Sequence, residues 1–434
     1  MSISSGDASN AGAARRRIFV VDPMCVLPYG HNQGSVALFR RKLAPYFTES
    51  HALVPEALPA RTAKEKGFTR CLNYPYNAFY YRRFQWLLDR CIKSRTLRAR
   101  VQLWLRRAEK VALTLLATLL RFDVVLWNTE RNWKEQFQTY DIGSDDLIFF
   151  PSTDFYGAAA CLDLIASGKV KTPPRLHLRM ICVMENASLS SNSACDLLLS
   201  KVKIAIAQGV DVGISAETPA YVSYLAQKLG MSVGYFPQPL SGDVMPMPHA
   251  PPMIASSIGS GRGDKGYFLL TDIIQKTAER SSERILFEIQ SMPPQDHAFS
   301  PEYETSLAKV PNLRILPEIL PDEEMLACYR RSYIALLPYD PKTYEHRGSA
   351  IFQEAIAFTR PVVCLAGAAF ADLIDRYKNG YACRDVEDLA SAIVECASVS
   401  PTEWDRRLAI SRSLYEADVD AAIKQVLAGS NLEP

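Results

Sequence analysis

Residues 336–367, LLPYDPKTYEHRGSAIFQEAIAFTRPVVCLAG, constrain the fold of this chain more than any other stretch. A short apolar run ends at Pro338, and a loop dense in Tyr, His and Arg follows. Gly348 and Ser349 then open a helix with Glu354 in its second turn, and a second apolar run, PVVCLA, starts at Pro361. Strand, loop, helix, strand is the crossover unit of a parallel sheet, so the fold class is α/β. The first N–H groups of that helix have no partner within the helix and favour an anion, and Arg347 adds fixed positive charge beside them. The plain alternative is an ordinary βαβ unit with a polar loop.

The same order occurs at two other places. RIFVVDP (17–23) reads as a buried strand. It leads into a loop with Gly30, His31, Asn32, Gln33 and Gly34, and then into SVALFRRKLAPYF, whose apolar residues recur at helical spacing. The loop does not have the G-x-G-x-x-G spacing of a dinucleotide site. Its glycines either let the backbone approach a ligand or simply make a tight turn. His31 is correspondingly a ligand contact or a helix cap. The second occurrence is PPMIASSIGSGRGDKGYFLLTDIIQKTAER, which follows a proline-rich hinge, SGDVMPMPHAPP. Between them HALVPEAL, FDVVLWN, DLIFFPS, LHLRMICVM, VDVGIS and VGYFPQPL read as strands, and TDFYGAAACLDLIASGK as a helix closed by Gly168. Glu185, in the loop after LHLRMICVM, is either a ligand contact or a loop carboxylate. A chain of 434 residues suits two domains. We place a disordered tail at 1–16, a first domain at 17–245 with a basic helical insertion at 61–121, a second domain at 246–403, and terminal helices at 404–434.

Charge is segregated. Residues 61–110 hold fourteen Lys or Arg and three acidic residues, an excess of +11 in a chain whose net charge is +2. The cations alternate with Tyr, Phe, Trp and Leu at three- and four-residue spacing, which predicts one or two amphipathic helices. Such helices bind anionic membrane surfaces, or they pack on their own domain with the arginines solvated. No recognisable module supports nucleic acid as a partner. The ten cysteines are scattered in apolar runs with no C-x-x-C pair, so reduced, buried thiols in a cytoplasmic protein are expected, without a metal site. No signal peptide and no membrane-spanning helix are expected: VALTLLATLLRFDVVLW is interrupted by Arg121 and Asp123. Asp418-x-Asp420 lies in a terminal helical pattern and reads as solvated charge.

LLPYD, Y-x-x-R-x-S, EA-x-A and PVV, together with Gly259-x-x-Arg262-x-x-Lys265-Gly266, resemble the carboxy-terminal half of the retaining glycosyltransferases of family four. The likeness covers residues 255–400 well and the first domain only as topology plus the Gly30-His31-Asn32 loop. It implies the GT-B fold, in which two Rossmann-like, doubly wound domains face a cleft and a C-terminal helix crosses back to the first domain. It also implies a metal-independent, retaining hexosyltransferase without a cofactor. The partners would be a nucleotide-sugar donor and a glycan or lipid-linked acceptor in polysaccharide or glycoconjugate synthesis, with the enzyme cytoplasmic or peripheral on the inner face of the membrane.

By that resemblance Arg262 and Lys265 stabilise the donor diphosphate, the backbone of Gly348 and Ser349 cradles it, and Glu354 holds the ribose. Tyr344, His346 and Arg347 surround the donor sugar. Gly30, His31, Asn32, Gly34 and Glu185 lie on the acceptor or phosphate side. Two positions depart from the family pattern. His346 stands where the first of two glutamates is usual, and Thr359-Arg360 replaces the glycine before PVV. A catalytically inactive sugar-nucleotide or partner-binding protein of the same fold, or a sugar-nucleotide epimerase, are the alternatives.

Overall fold

The computed structural model describes residues 16–26, 31–73, 90–120, 122–184, 186, 188–281, 285–294, 296 and 298–429. Gly30 and Glu185, most of the expected tail and residues 74–89 of the basic segment lie outside them.

Seven strands form the first sheet: β1 (Arg17–Val21), β2 (Glu49–Pro55), β3 (Thr69–Leu72), β4 (Leu147–Phe150), β5 (Arg175–Met180), β6 (Val212–Ala216) and β7 (Gly234–Tyr235). Their order is β3-β2-β1-β4-β5-β6-β7. β1 pairs in parallel with β2 and with β4, in a register that sets Ile18 beside Leu147 and Val20 beside Phe149. All four residues of β4 are buried, as expected of a parallel strand covered on both faces. The helices of this part are α1 (His31–Leu43), α2 (Ala60–Lys66), α3 (Arg95–Leu119), α4 (Val124–Tyr140), α5 (Phe155–Ala166), α6 (Ser191–Ala207) and α7 (Pro219–Leu229).

The second sheet has six strands: β8 (Met253–Ser257), β9 (Ile285–Gln290), β10 (Leu313–Leu316), β11 (Ile334–Leu337), β12 (Val362–Leu365) and β13 (Gly380–Cys383). Its order is β10-β9-β8-β11-β12-β13. The helices are α8 (Leu270–Arg280), α9 (Pro301–Leu307), α10 (Asp322–Arg331), α11 (Ala350–Ala357), α12 (Leu373–Tyr377), α13 (Val386–Ser398) and α14 (Pro401–Ala428). Its core gathers Ile273, Phe287, Ile289, Ile334, Leu336, Val363, Leu389 and Ile393. Fully burying one such side chain stabilises by about 1.5–3 kcal/mol.

The chain divides into two compact units. One is residues 1–215 with 228–231 and 425–434, and the other is residues 216–227 with 232–424. Most of α14 is therefore counted with the second unit. Its last turn lies with the first, where Arg175 of β5 donates to the carbonyls of Val426 (2.7 Å) and Leu427 (3.3 Å).

Four local expectations are corrected. FDVVLWN is not a strand: Asp123 accepts from the N–H groups of Val125 (3.0 Å) and Leu126 (3.1 Å) and starts α4. The buried residues of α4, Val125, Thr129, Asn132, Trp133, Gln136 and Phe137, then recur at helical spacing. His31 to Gly34 form the first turn of α1 and not a loop. VGYFPQPL contributes a strand of two residues only. Asp418, expected as solvated charge, is paired and its side chain is only 15% exposed: Arg376 (2.6 Å from Nε) and the Tyr377 hydroxyl (2.7 Å) both donate to it. Among the described residues no group of three His, Cys, Asp or Glu could hold a metal ion, and no single helix is long and apolar enough to cross a membrane.

Candidate active site

In an open doubly wound sheet, ligands bind beyond the carboxyl ends of the strands where the strand order reverses. In the second sheet that point lies between β8 and β11, which pair in parallel. The loops that leave these two strands are residues 258–269 and 338–349. They are the two loops that carry the sequence candidates.

The first loop is built on close approach. Gly266 has φ +71°, and a Cβ there would lie 1.9 Å from the carbonyl oxygen of Pro338. Gly259 has φ +94°, and its Cβ would lie 2.9 Å from Ile351 of α11. Glycine is therefore required at both positions for the loop to lie against the β11 loop. Gln290, at the end of β9, fixes the turn by accepting from the N–H groups of Gly259 (2.7 Å) and Ser260 (2.9 Å). The backbone N–H of Asp340 donates to the carbonyl of Asp264 (2.9 Å), which joins the two loops.

This packing brings Arg262, Lys265, Tyr344 and Glu354 together. Arg262 donates from Nη2 to Asp264 (2.9 Å) and to the Tyr344 hydroxyl (2.9 Å), and its side chain remains 42% exposed. Lys265 donates from Nζ to the Gly259 carbonyl and lies 5.8 Å from the centre of the Tyr339 ring. Desolvation, and then the Arg262 charge, lower the Lys265 pKa to about 8, partly offset by Asp264 and Glu354. Burial raises the pKa of the Glu354 carboxyl. The Tyr329 hydroxyl, which donates to it at 2.7 Å, and the Lys265 charge act in the opposite direction. Two cations, one partly desolvated, thus lie near a carboxylate and a helix start, which suits a bound diphosphate ester.

Ser349 caps α11, its hydroxyl accepting from the N–H of Phe352 at 3.2 Å. The N–H of Gly348, expected to be open to an anion, is occupied: it donates to Glu217 Oε1 at 2.9 Å. His346 stacks on Tyr221 and packs at a tilt against Tyr224 of α7, with ring centres 5.8 and 4.8 Å apart, and its carbonyl accepts from the Thr218 hydroxyl at 2.9 Å. Arg347 is partly buried, and its charge acts on Tyr344. Thr359, at the altered glycine position, has φ +52° and so takes the left-handed backbone that glycine would favour. Its hydroxyl donates to the Met245 carbonyl at 2.7 Å.

In the first unit, His31, Asn32 and Gly34 sit on the opening turn of α1. The reversal of strand order falls between β1 and β4, and the carboxylates beyond these strands are Asp22 and Asp154. Both are buried. Desolvation raises Asp22 to about 8 and Asp154 to about 7. Sequence reasoning did not single out Asp22, Asp154, Glu217, Gln290 or Tyr329. The rule that strand ends carry ligands points to Asp22, Asp154, Glu217 and Gln290; nothing local points to Tyr329.

No family model and no curated protein matches the chain. Solved structures do. The trehalose-6-phosphate protein from E. coli bound with UDP-2-fluoro glucose is 12% identical, with 95% of this chain and 98% of that one covered at a TM-score of 0.56. A UDP-forming α,α-trehalose-phosphate synthase from Burkholderia xenovorans is 10% identical, with 96% and 98% covered at 0.55. A glycosyltransferase from Rickettsia africae is 10% identical, with 95% and 97% covered at 0.57. At such identities the likeness shows the fold: two parallel sheets with flanking helices in the GT-B arrangement.

Proposed function

We propose that the protein is a retaining glycosyltransferase that moves a hexose from a nucleotide-sugar donor to a glycan or lipid-linked acceptor in cell-surface polysaccharide or glycoconjugate synthesis. It would act in the cytoplasm or on the inner face of the membrane, without a metal. The observation that carries this reading is the convergence of Arg262 and Lys265 with Glu354 at the β8–β11 reversal. Neighbours of the same fold whose names include UDP-forming synthases support it.

On this reading the anomeric carbon–phosphate oxygen bond breaks while the acceptor oxygen attacks from the same face. The acceptor proton passes to a donor phosphate oxygen. Negative charge accumulates on the leaving diphosphate, where Arg262 and Lys265 stabilise it. Glu354 accepts from the ribose hydroxyls, Gly348 and Ser349 lie at the phosphates, and Tyr344, His346 and Arg347 border the sugar. His31, Asn32 and Gly34 belong to the acceptor side, as do Gly30 and Glu185 of the sequence reading.

A second reading, a sugar-nucleotide-binding protein without turnover, is favoured by the Glu217 carboxylate on the Gly348 N–H and by the packing of His346 against two tyrosines. Thermal unfolding with a panel of nucleoside diphosphates tests the donor site common to both. A ligand at 100 times its Kd stabilises by about 2.7 kcal/mol, and Lys265→Ala should abolish the shift. No shift with any base at millimolar concentration would remove both readings.

A further inference from the structure

Nine of the eighteen large apolar side chains that are exposed among the described residues fall between residues 97 and 127. They follow from the geometry of α3. Leu97, Trp104, Val111, Leu115 and Leu119 are spaced by seven, seven, four and four residues, which puts them on one face of the helix. Their exposures are 54, 67, 57, 51 and 74%. Leu113, half a turn round from Trp104, is buried, so the opposite face packs at that position, whereas Leu116 and Leu120 toward the end of the helix are exposed. At the corner where α3 gives way to α4, Phe122 and Trp127 are also exposed, with ring centres 6.2 Å apart.

Charge is graded along the same element. Residues 95–110 carry six Lys or Arg and one Glu, whereas residues 111–120 carry no charge. Arg107 is exposed beside the stripe, and Arg90 and Lys93 are exposed just before the helix. A cationic segment running into ten uncharged residues (111–120), with Arg121 and Asp123 next in the sequence and Phe122 and Trp127 exposed at the corner, is complementary to an anionic bilayer, with headgroups at the first part and acyl chains at the second. α4 does not share this exposure along its length. It buries Thr129, Asn132, Trp133 and Phe137, and Asn132 donates to the Cys71 carbonyl of β3 at 3.0 Å. The element is therefore anchored in the first unit through α4.

We infer that the α3–α4 corner docks on an anionic phospholipid surface, with Trp104, Leu115, Leu119 and Trp127 entering the interface and Arg90, Lys93 and Arg107 facing the headgroups. Docking through this corner gives the membrane location of the proposed function a named surface and is independent of the transfer reaction.

Sedimentation of the full chain with vesicles of phosphatidylcholine containing phosphatidylglycerol, and with phosphatidylcholine alone, tests it. We expect binding to the anionic vesicles that weakens with salt. Leu115→Ser with Leu119→Ser should lower partitioning about tenfold or more. Arg107→Gln with Lys93→Gln should weaken anionic binding selectively. Brominated lipid should quench fluorescence in wild type more than in Trp104→Phe with Trp127→Phe. Thermal unfolding of each variant confirms that it folds. Absence of sedimentation at low salt would overturn the inference, as would binding that ignores the two Leu substitutions. Concentration-dependent self-association abolished by those substitutions, without vesicle binding, would assign the face to a second copy of the chain. Loss of vesicle binding leaves nucleoside diphosphate stabilisation unchanged, so the two proposals fail independently.

Discussion

The Glu217 carboxylate accepts the Gly348 N–H at 2.9 Å, and a Cβ on residue 348 would come within 2.8 Å of the Glu217 carboxyl carbon. A side chain that follows β6 thus occupies the backbone donor that the functional reading gives to a donor phosphate. Like charges about 10 Å apart repel by about 1.5 kcal/mol at an effective dielectric near 20. Glu217→Gln should therefore tighten nucleoside diphosphate binding about tenfold, as measured by titration calorimetry. Weaker binding in this variant would mean that Glu217 positions the loop for the ligand and does not compete with it.

Lys265 makes binding pH-dependent. Its pKa is lowered to about 8 by desolvation and by Arg262, so the free protein loses the ammonium as pH rises through that value. A diphosphate needs the cation, so above pH 8 binding must also take up a proton. Affinity should then fall about tenfold per pH unit until the pKa of the complex is reached. Below pH 8 the lysine contributes no such slope. Lys265→Arg should flatten the profile above pH 8, and calorimetry from pH 6.5 to 9.5 reads both.

Tyr329 is fully buried, and its hydroxyl donates to Glu354 at 2.7 Å. Tyr329→Phe keeps the ring and removes the donor, leaving a largely desolvated carboxyl short of a partner. A loss of about 1–3 kcal/mol in urea unfolding is expected. Glu354→Gln combined with Tyr329→Phe should cost less than the sum of the two, because they share one interaction.

Arg360 is fully buried and donates to the carbonyls of Tyr329 (2.7 Å), Met245 (2.8 Å), Thr359 (2.9 Å) and Pro246 (3.1 Å). Tyr329 lies in the last turn of α10, where a cation is favoured. Arg360→Met would leave these carbonyls without that donor and should destabilise by about 3 kcal/mol or more, read as a lowered Tm. At this departure from the family pattern the chain gains an internal clamp.

The strands were legible because parallel strands covered on both faces are short apolar runs, and RIFVV, LIFF, IALL and VVCL stand out as such. The same property misleads at FDVVLWN, where periodicity over seven residues does not separate strand from helix and the Asp123 cap decides. Strand β13, GYAC, is short and partly exposed, so it gave no run to read. Within the candidate site, Arg262, Lys265 and Glu354 were visible through the family resemblance of the motifs that hold them. Glu217, Gln290 and Tyr329 reach the site from 25 to 131 residues away; their strand-end positions mark Glu217 and Gln290 as candidates, but no local pattern encodes which group each one contacts at that range. His346 was legible as a departure, but its packing on Tyr221 and Tyr224 follows from where α7 lies and not from the residues beside it.

The most direct test of the central claim is release of nucleoside diphosphate from nucleotide-sugar donors, followed by mass spectrometry with wild type, Arg262→Ala and Lys265→Ala. Slow donor hydrolysis by wild type is expected even without acceptor, with its loss by at least about a hundredfold in both variants. Donor binding by wild type with no release above background, or release unchanged in the variants, would contradict it.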